Sequence, residues 1–212
     1  MVIAIDGPAG AGKSTVARGV ADALGFTYLD SGAMYRSVAL AALRAAIDLD
    51  DGAALGELAR RLEIELEGDR VLLDGEDVSE AIRTPAVSEA ASRVSVHPGV
   101  RKAMVERQRQ MIAAGRYVAE GRDIGTVVSP DSPLKVFLTA THTERARRRA
   151  ADTGELMKVV VASLFERDER DRGREHGTLR VAEDAVEVDT TNTTIDDVIA
   201  GVVELARERG IA

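Results

Sequence analysis

The chain has 212 residues and a formal net charge of −8, with 45% apolar and 30% charged residues. That length holds one sizeable α/β domain with a small insertion, and the acidic balance argues against general binding to nucleic acid or anionic membranes, which needs a broad cationic surface. There is no cysteine, so disulfides, thiolate metal sites and cysteine nucleophiles are excluded, and the three scattered histidines, His97, His142 and His176, argue against a histidine metal cluster.

The first element is Val2–Asp6, a short apolar run with the look of a buried strand. It opens into Gly7-Pro8-Ala9-Gly10-Ala11-Gly12-Lys13-Ser14, a full match to G-x-x-x-x-G-K-[ST]. A helix over Lys13–Leu24 follows, with apolar residues at helical spacing. Strand, glycine loop and helix in this order let successive backbone N–H groups converge on a phosphate. In such a loop Lys13 reaches the outer phosphates and the Ser14 hydroxyl coordinates Mg²⁺. A bare glycine turn joining strand to helix would not need Lys-Ser.

A second strand, Phe26–Asp30, runs into Ser31-Gly32-Ala33-Met34-Tyr35-Arg36 and a helix over Met34–Ile47. Ligands of open parallel sheets bind outside the C-terminal ends of the strands, so this segment and the glycine loop are expected to face one cleft. Two readings stand side by side here. Asp30 acts on Mg²⁺ through water and Arg36 holds a second phosphate, or Asp30 and Ser31 cap the next helix and Arg36 sits on a wet face.

From about Asp50 to Ser95 the alternation of strand and helix breaks. Glu63–Glu67 alternates polar and apolar residues, Gly68-Asp69 reads as a turn, and Arg70–Asp74 continues from it, which predicts an antiparallel hairpin with one wet face. Beyond a helix over Pro98–Ala114, a strand at Tyr117–Glu120 leads into Gly121-Arg122-Asp123-Ile124-Gly125, where two glycines bracket adjacent opposite charges. That loop brings charge to a ligand or buries an ion pair. The strands Leu134–Thr139 and Ala185–Asp189 complete a predicted five-stranded parallel sheet flanked by helices at Thr143–Ala151, Glu155–Arg170 and Asp196–Arg209.

Arginines crowd the C-terminal third, in Glu144–Arg149 and in Glu166–Arg174. Arg167, Asp171 and Arg174 fall at i, i+4 and i+7, on one predicted helical stripe. Charge runs are usually solvated faces, but phosphoryl transfer requires charge neutralisation on donor and acceptor. Arginines flanking the hinge-like Asp152-Thr153-Gly154 would supply it from a mobile lid. No side chain is placed as an activated nucleophile, which fits direct in-line transfer.

Taken together and in order, GPAGAGKST, LDSGAMYR, the segment from Gly75 to Arg83, EGRDIGTVV and ERDERDRGR resemble bacterial cytidylate kinases (CMP/dCMP kinases) over nearly the whole chain. The resemblance implies a P-loop nucleoside-monophosphate-kinase fold in a single domain. Its core would be residues 1–31, 96–150 and 175–212, with an inserted monophosphate-binding region at about 32–95 and a lid at about 151–174. It implies transfer of the γ-phosphate of ATP to CMP or dCMP with Mg²⁺. Gly7, Pro8, Ala9, Gly10, Ala11, Gly12, Lys13, Ser14 and Thr15 would hold the ATP phosphates. Ser31, Tyr35 and Arg36 would line the monophosphate site, and Ser92, Arg101 and Asp123 would read cytosine. Arg122 would assist the acceptor phosphate, Arg167 and Arg174 would join the phosphate clamp, and Asp171 would bind the sugar.

An ionised Asp123 accepts from the cytosine amino group and repels the uracil carbonyl, which gives that assignment a chemical basis. The stretch between Arg149 and Ser163 is short against many family members and leaves open which of Arg145, Arg148 and Arg149 faces ATP. The other readings are a P-loop kinase with a different small-molecule acceptor and a nucleotide-dependent switch. A guanine-reading switch would carry Asn-Lys-x-Asp, which is absent from this chain. The N-terminus lacks a basic region before its apolar run, and no apolar stretch nears the roughly 20 residues of a membrane span. A cytoplasmic monomer with no membrane or nucleic-acid partner is the expectation.

Overall fold

The computed structural model describes residues 1–174 and 176–211. The chain divides into two compact units, one formed by Met1–Leu29, Ile112–Gly173 and Gly177–Ala212, the other by Asp30–Met111 and Arg174–His176.

The first unit begins with β1 (Val2–Asp6), buried at every position, and α1 (Lys13–Leu24). α1 turns Val16, Ala17, Val20 and Ala21 inward, the stripe expected of a helix lying on a sheet. It stops at Gly25, whose φ of 64° is the left-handed conformation that glycine adopts freely. Then comes β2 (Thr27–Asp30), whose last residue opens the second unit.

The second unit continues with α2 (Ser31–Arg44), α3 (Gly52–Arg61), β3 (Ile64–Glu67), β4 (Arg70–Leu73) and the short β5 (Glu76–Asp77). A 3₁₀ turn at Ala81–Arg83, α4 (Pro85–Val94) and α5 (Pro98–Ile112) follow. The antiparallel hairpin has the predicted pattern, with Ile64 opposite Leu73 and Leu66 opposite Val71. Ile64, Val71 and Leu73 are buried while Glu65 and Glu67 face water. The unit's core gathers Met34 and Val38 of α2, Leu55 of α3, Val87 and Val94 of α4 and Met104 of α5. The region 32–95 lies within this unit, which also takes α5 up to Met111.

Back in the first unit, β6 (Tyr117–Gly121) leads into a π-helical turn at Ile124–Val128. β7 (Leu134–Thr139), α6 (His142–Thr153), α7 (Met157–Gly173), β8 (Val186–Asp189) and α8 (Ile195–Glu208) complete it. The sheet order is β2-β6-β1-β7-β8. β1 pairs in parallel with β6 and β7, and β7 with β8. Among the described residues, no helix is long and apolar enough to cross a membrane.

Three sequence expectations shift for local reasons. α2 starts at Ser31 rather than Met34, because Asp30 caps it by accepting the Ala33 N–H at 2.8 Å. It ends at Arg44, short of Ile47, where the chain turns through Ala46 at a φ of 51°. α3 and α4 lie outside the sequence expectation, yet both carry start signals. Asp51 accepts from Ala53 and Ala54, and Thr84 caps a helix whose first residue is Pro85.

Candidate active site

The glycine loop after β1 is held by geometry that other residues resist. Gly7 has a φ of 150°, and a Cβ placed there would sit 2.2 Å from the Leu138 carbonyl oxygen of β7. Gly12 caps α1 at a φ of 88° without using a side chain. Its lack of a side chain leaves the first-turn N–H groups of α1 facing the loop, the arrangement that binds anions. Lys13 is 6% exposed, and its Nζ donates to the Pro8 carbonyl at 2.8 Å. Burial first, then the nearby Arg122 charge, pull its pKa down to about 7, against the opposing pull of Glu120. Ser14 and Thr15 are exposed on the first turn of α1.

The loop after β6 supplies the facing charges. Arg122 Nε donates to Asp171 Oδ2 of α7 at 2.8 Å, with the Asp171 side chain 1% exposed. Burial lowers the Arg122 pKa, but the Asp171 charge and hydrogen bond outweigh it and leave it raised. Arg167, also on α7, is close enough to act on Lys13 electrostatically. Asp123 is buried and its charge acts on Asp6 of β1. The structure therefore brings Lys13, Arg122, Asp123, Arg167 and Asp171 together within one unit. Asp171, expected at the sugar, is bonded to Arg122 here.

Arg174 does not share the predicted helical stripe with Arg167 and Asp171, because α7 ends at Gly173 and Arg174 lies beyond it. It belongs to the second unit, where its Nη2 donates to Ser95 Oγ at 2.9 Å. Ser95 in turn donates to the Ser92 carbonyl at 2.9 Å. The Ser92 hydroxyl is itself buried without a partner among the described residues. The buried Arg101 guanidinium lies 5.9 Å over the Tyr35 ring. Arg36 Nη2 reaches Asp30 Oδ2 at 2.8 Å, while its Nε is buried without a partner. Ser31 is buried at the start of α2. Leaving buried polar groups such as those of Ser92 and Arg36 unsatisfied is costly.

The α6 arginines sort themselves. Arg145, 2% exposed, makes a buried ion pair with Asp168 of α7 at 2.7 Å and donates to the Ala9 carbonyl of the glycine loop at 3.0 Å. Arg148 bonds Glu144 at 2.8 Å and the Thr190 carbonyl at 2.6 Å. A Cβ on Gly12 would sit 3.7 Å from Arg148 Nη1, so this arginine flanks the loop.

Asp6, Glu120 and Asp168 were not singled out as site residues. Glu120 accepts a hydrogen bond from the Tyr28 hydroxyl and acts on Lys13. Asp6 and Glu120 were visible only as carboxylates at the C-terminal ends of strands, and Asp168 only as one acid in a charge run. For a metal, Ser14 offers one hard oxygen on α1. That suits Mg²⁺, which takes one or two protein oxygens and completes its shell with phosphate and water. Asp30 Oδ1 and Oδ2 already accept from Ala33 and Arg36, and each oxygen retains a lone pair for a water.

A parallel sheet, a G-x-x-x-x-G-K-S loop closing β1 and arginines around its lysine define a P-loop kinase. The fold is similar to a gluconokinase from Sinorhizobium meliloti (TM-score 0.50, 16% identity, 98% of this chain and 94% of that one). It is also similar to a sugar kinase from Janibacter sp. (TM-score 0.51, 14% identity, 100% and 97%). The cytidylate kinase family model matches residues 3–208, and the chain belongs to that family. It is 51% identical over 208 residues to a cytidylate kinase of Cupriavidus necator, covering 96% of this chain and 94% of the relative. It is 48% identical over 211 residues to one of Caldanaerobacter subterraneus, covering 97% and 94%.

Proposed function

We propose that the chain transfers the γ-phosphoryl group of ATP to CMP or dCMP, giving ADP and CDP or dCDP, by direct in-line displacement. The observation that carries this reading is the buried Lys13 in its glycine loop, surrounded by Arg122, Arg167, Glu120 and Asp171, in a chain of the cytidylate kinase family.

Gly7–Thr15 hold the triphosphate through backbone N–H groups and Lys13. Arg122 and Arg167 offset charge that spreads over the transferring group, and Arg174 adds to the clamp on the monophosphate. Arg36, Ser31 and Tyr35 receive the monophosphate, and Ser92, Arg101 and Asp123 read the cytosine. A site built on hydrogen bonds to one base rejects the other because the mismatch leaves buried groups unpaired. Asp171 serves the sugar while orienting Arg122. Ser14, with Asp30 acting through water, would hold Mg²⁺, which would supply charge neutralisation for the phosphates. The protein works as a cytoplasmic monomer on small-molecule substrates, in keeping with its charge of −8.

A coupled ADP-release assay with ATP and a panel of CMP, dCMP, UMP, AMP and GMP tests the reading. Turnover concentrated on CMP and dCMP is expected. Fast turnover on another monophosphate with none on CMP overturns the substrate assignment.

A further inference from the structure

Asp6 is the last residue of β1 and the residue immediately before the glycine loop. It is 6% exposed, and both of its carboxylate oxygens point across to the neighbouring strand's loop. Oδ1 accepts the Ile124 N–H and Oδ2 accepts the Gly125 N–H, each at 2.8 Å. Those two residues open the π-helical turn that directly follows Arg122 and Asp123. The first N–H groups of any helical turn lack partners within it, and Asp123 makes no capping hydrogen bond with its own side chain. The cap comes instead from a strand more than a hundred residues away in sequence.

We propose that Asp6 is a positioning residue for base recognition: by clamping the Ile124 and Gly125 amides it fixes the Arg122–Asp123 loop that faces the acceptor nucleotide. The inference rests on the cytidylate kinase reading above for what that loop does.

Four observations support it. The clamp is bidentate, so it fixes orientation as well as distance. The turn it caps has its remaining bonds in place, with the Asp123 carbonyl accepting from Val127 at 2.8 Å and the Ile124 carbonyl from Ser129 at 2.7 Å. Gly125 lies under the Lys135 side chain, where an added Cβ would come within 3.2 Å of Lys135 Cγ and Cδ. The loop is thus held from both sides. Finally, burial, with a smaller contribution from the nearby Asp123 charge, raises the Asp6 pKa to about 6 against the pull of the two amides and Lys13.

The test compares Asp6→Asn and Asp6→Ala with the wild type, using ATP with CMP and with UMP. Asn keeps one acceptor and Ala keeps none, so the effects should be graded. The expected result is a KM for CMP raised about fivefold in Asp6→Asn and more in Asp6→Ala. The CMP-over-UMP ratio of kcat/KM should fall by a similar factor, with the KM for ATP changed less than twofold.

A merely structural role would lower turnover with CMP and UMP alike and leave their ratio intact, and that result overturns the proposal. Should Asp6→Ala not fold, Asp6→Asn and amide hydrogen exchange decide it. Ile124 and Gly125 should exchange slowly in the wild type and at least tenfold faster in Asp6→Asn, and unchanged exchange also overturns the proposal. If the wild type does not prefer CMP at all, the substrate reading fails. The clamp is then judged on amide exchange alone.

Discussion

The loop after β1 and the loop after β6 leave adjacent parallel strands in the same direction, yet they are specified in opposite ways. Gly7–Ser14 is set mainly by its own glycines, with Arg145 of α6 holding the Ala9 carbonyl from outside. Its shape follows from glycines that take up conformations closed to other residues, and the helix that follows starts within the loop itself. Gly121–Val128 is non-local. Its turn is capped by Asp6 from β1, its arginine is held by Asp171 from α7, and Lys135 of β7 lies against Gly125. A loop that must cradle an invariant triphosphate can be written into eight consecutive residues. The loop after β6, which we propose discriminates between bases, is set by contacts gathered from β1, β7 and α7.

Breaking the local loop should have the largest effect. Lys13→Ala removes the charge we propose stabilises the transferring phosphoryl group. Turnover in the ADP-release assay should fall by at least about 10²–10³-fold, the range for loss of one such group. The ion pair of α6 and α7 that supports the glycine loop from outside should fail next, through stability. Asp168→Ala leaves Arg145 buried and uncompensated, which costs about 3–5 kcal/mol. A chain of 212 residues should then melt about 10 °C lower by differential scanning calorimetry. Gly7→Ala forces a Cβ to within 2.2 Å of a backbone oxygen at a positive φ. It should cost about 1–3 kcal/mol of backbone strain and weaken ATP binding in calorimetric titration more than it weakens CMP binding.

The pH dependence separates the two loops more finely. In the free enzyme Lys13 loses its proton near pH 7, because burial and Arg122 pull its pKa down. As pH rises through 7 the loop loses a charge, so kcat/KM for ATP should fall on the alkaline side. The stability sign is opposite. Between about 7 and the ordinary lysine value of 10.5 the unfolded chain holds a proton that the folded chain does not. The wild type should therefore gain stability relative to Lys13→Met as pH rises across that window. The smallest effect is expected at Ser92→Ala. Its hydroxyl is buried without a partner among the described residues, so removal should leave the melting temperature unchanged or slightly higher, while the KM for CMP rises a few-fold.

The same contrast explains what could be seen in the sequence. The strands, the glycine loop and the hairpin were legible because each depends on near neighbours: the apolar run of Val2–Ile5, the Lys13-Ser14 pair, the alternation around Gly68. α3 and α4 were legible in principle through the caps Asp51 and Thr84-Pro85 and through apolar stripes such as Val87, Ala90, Ala91 and Val94 of α4. Asp6 was not legible. As a single acid at a strand end it carries no signal, and its partners lie at Ile124 and Gly125. The i, i+4, i+7 spacing misplaced Arg174, because Gly173 ends the helix one residue too early for the stripe to continue. Arg145 read as one arginine among several, and only the fold shows that it is paired with Asp168 and bound to the Ala9 carbonyl.

The central claim is that the loop after β6 reads cytosine through Asp123. Its most direct test is the ratio of kcat/KM for CMP to that for UMP, measured side by side in the wild type and in Asp123→Asn. An amide at that position can donate to the uracil carbonyl as readily as it accepts from the cytosine amine, so the ratio should fall at least tenfold. An unchanged ratio would contradict the account and move base recognition to another residue.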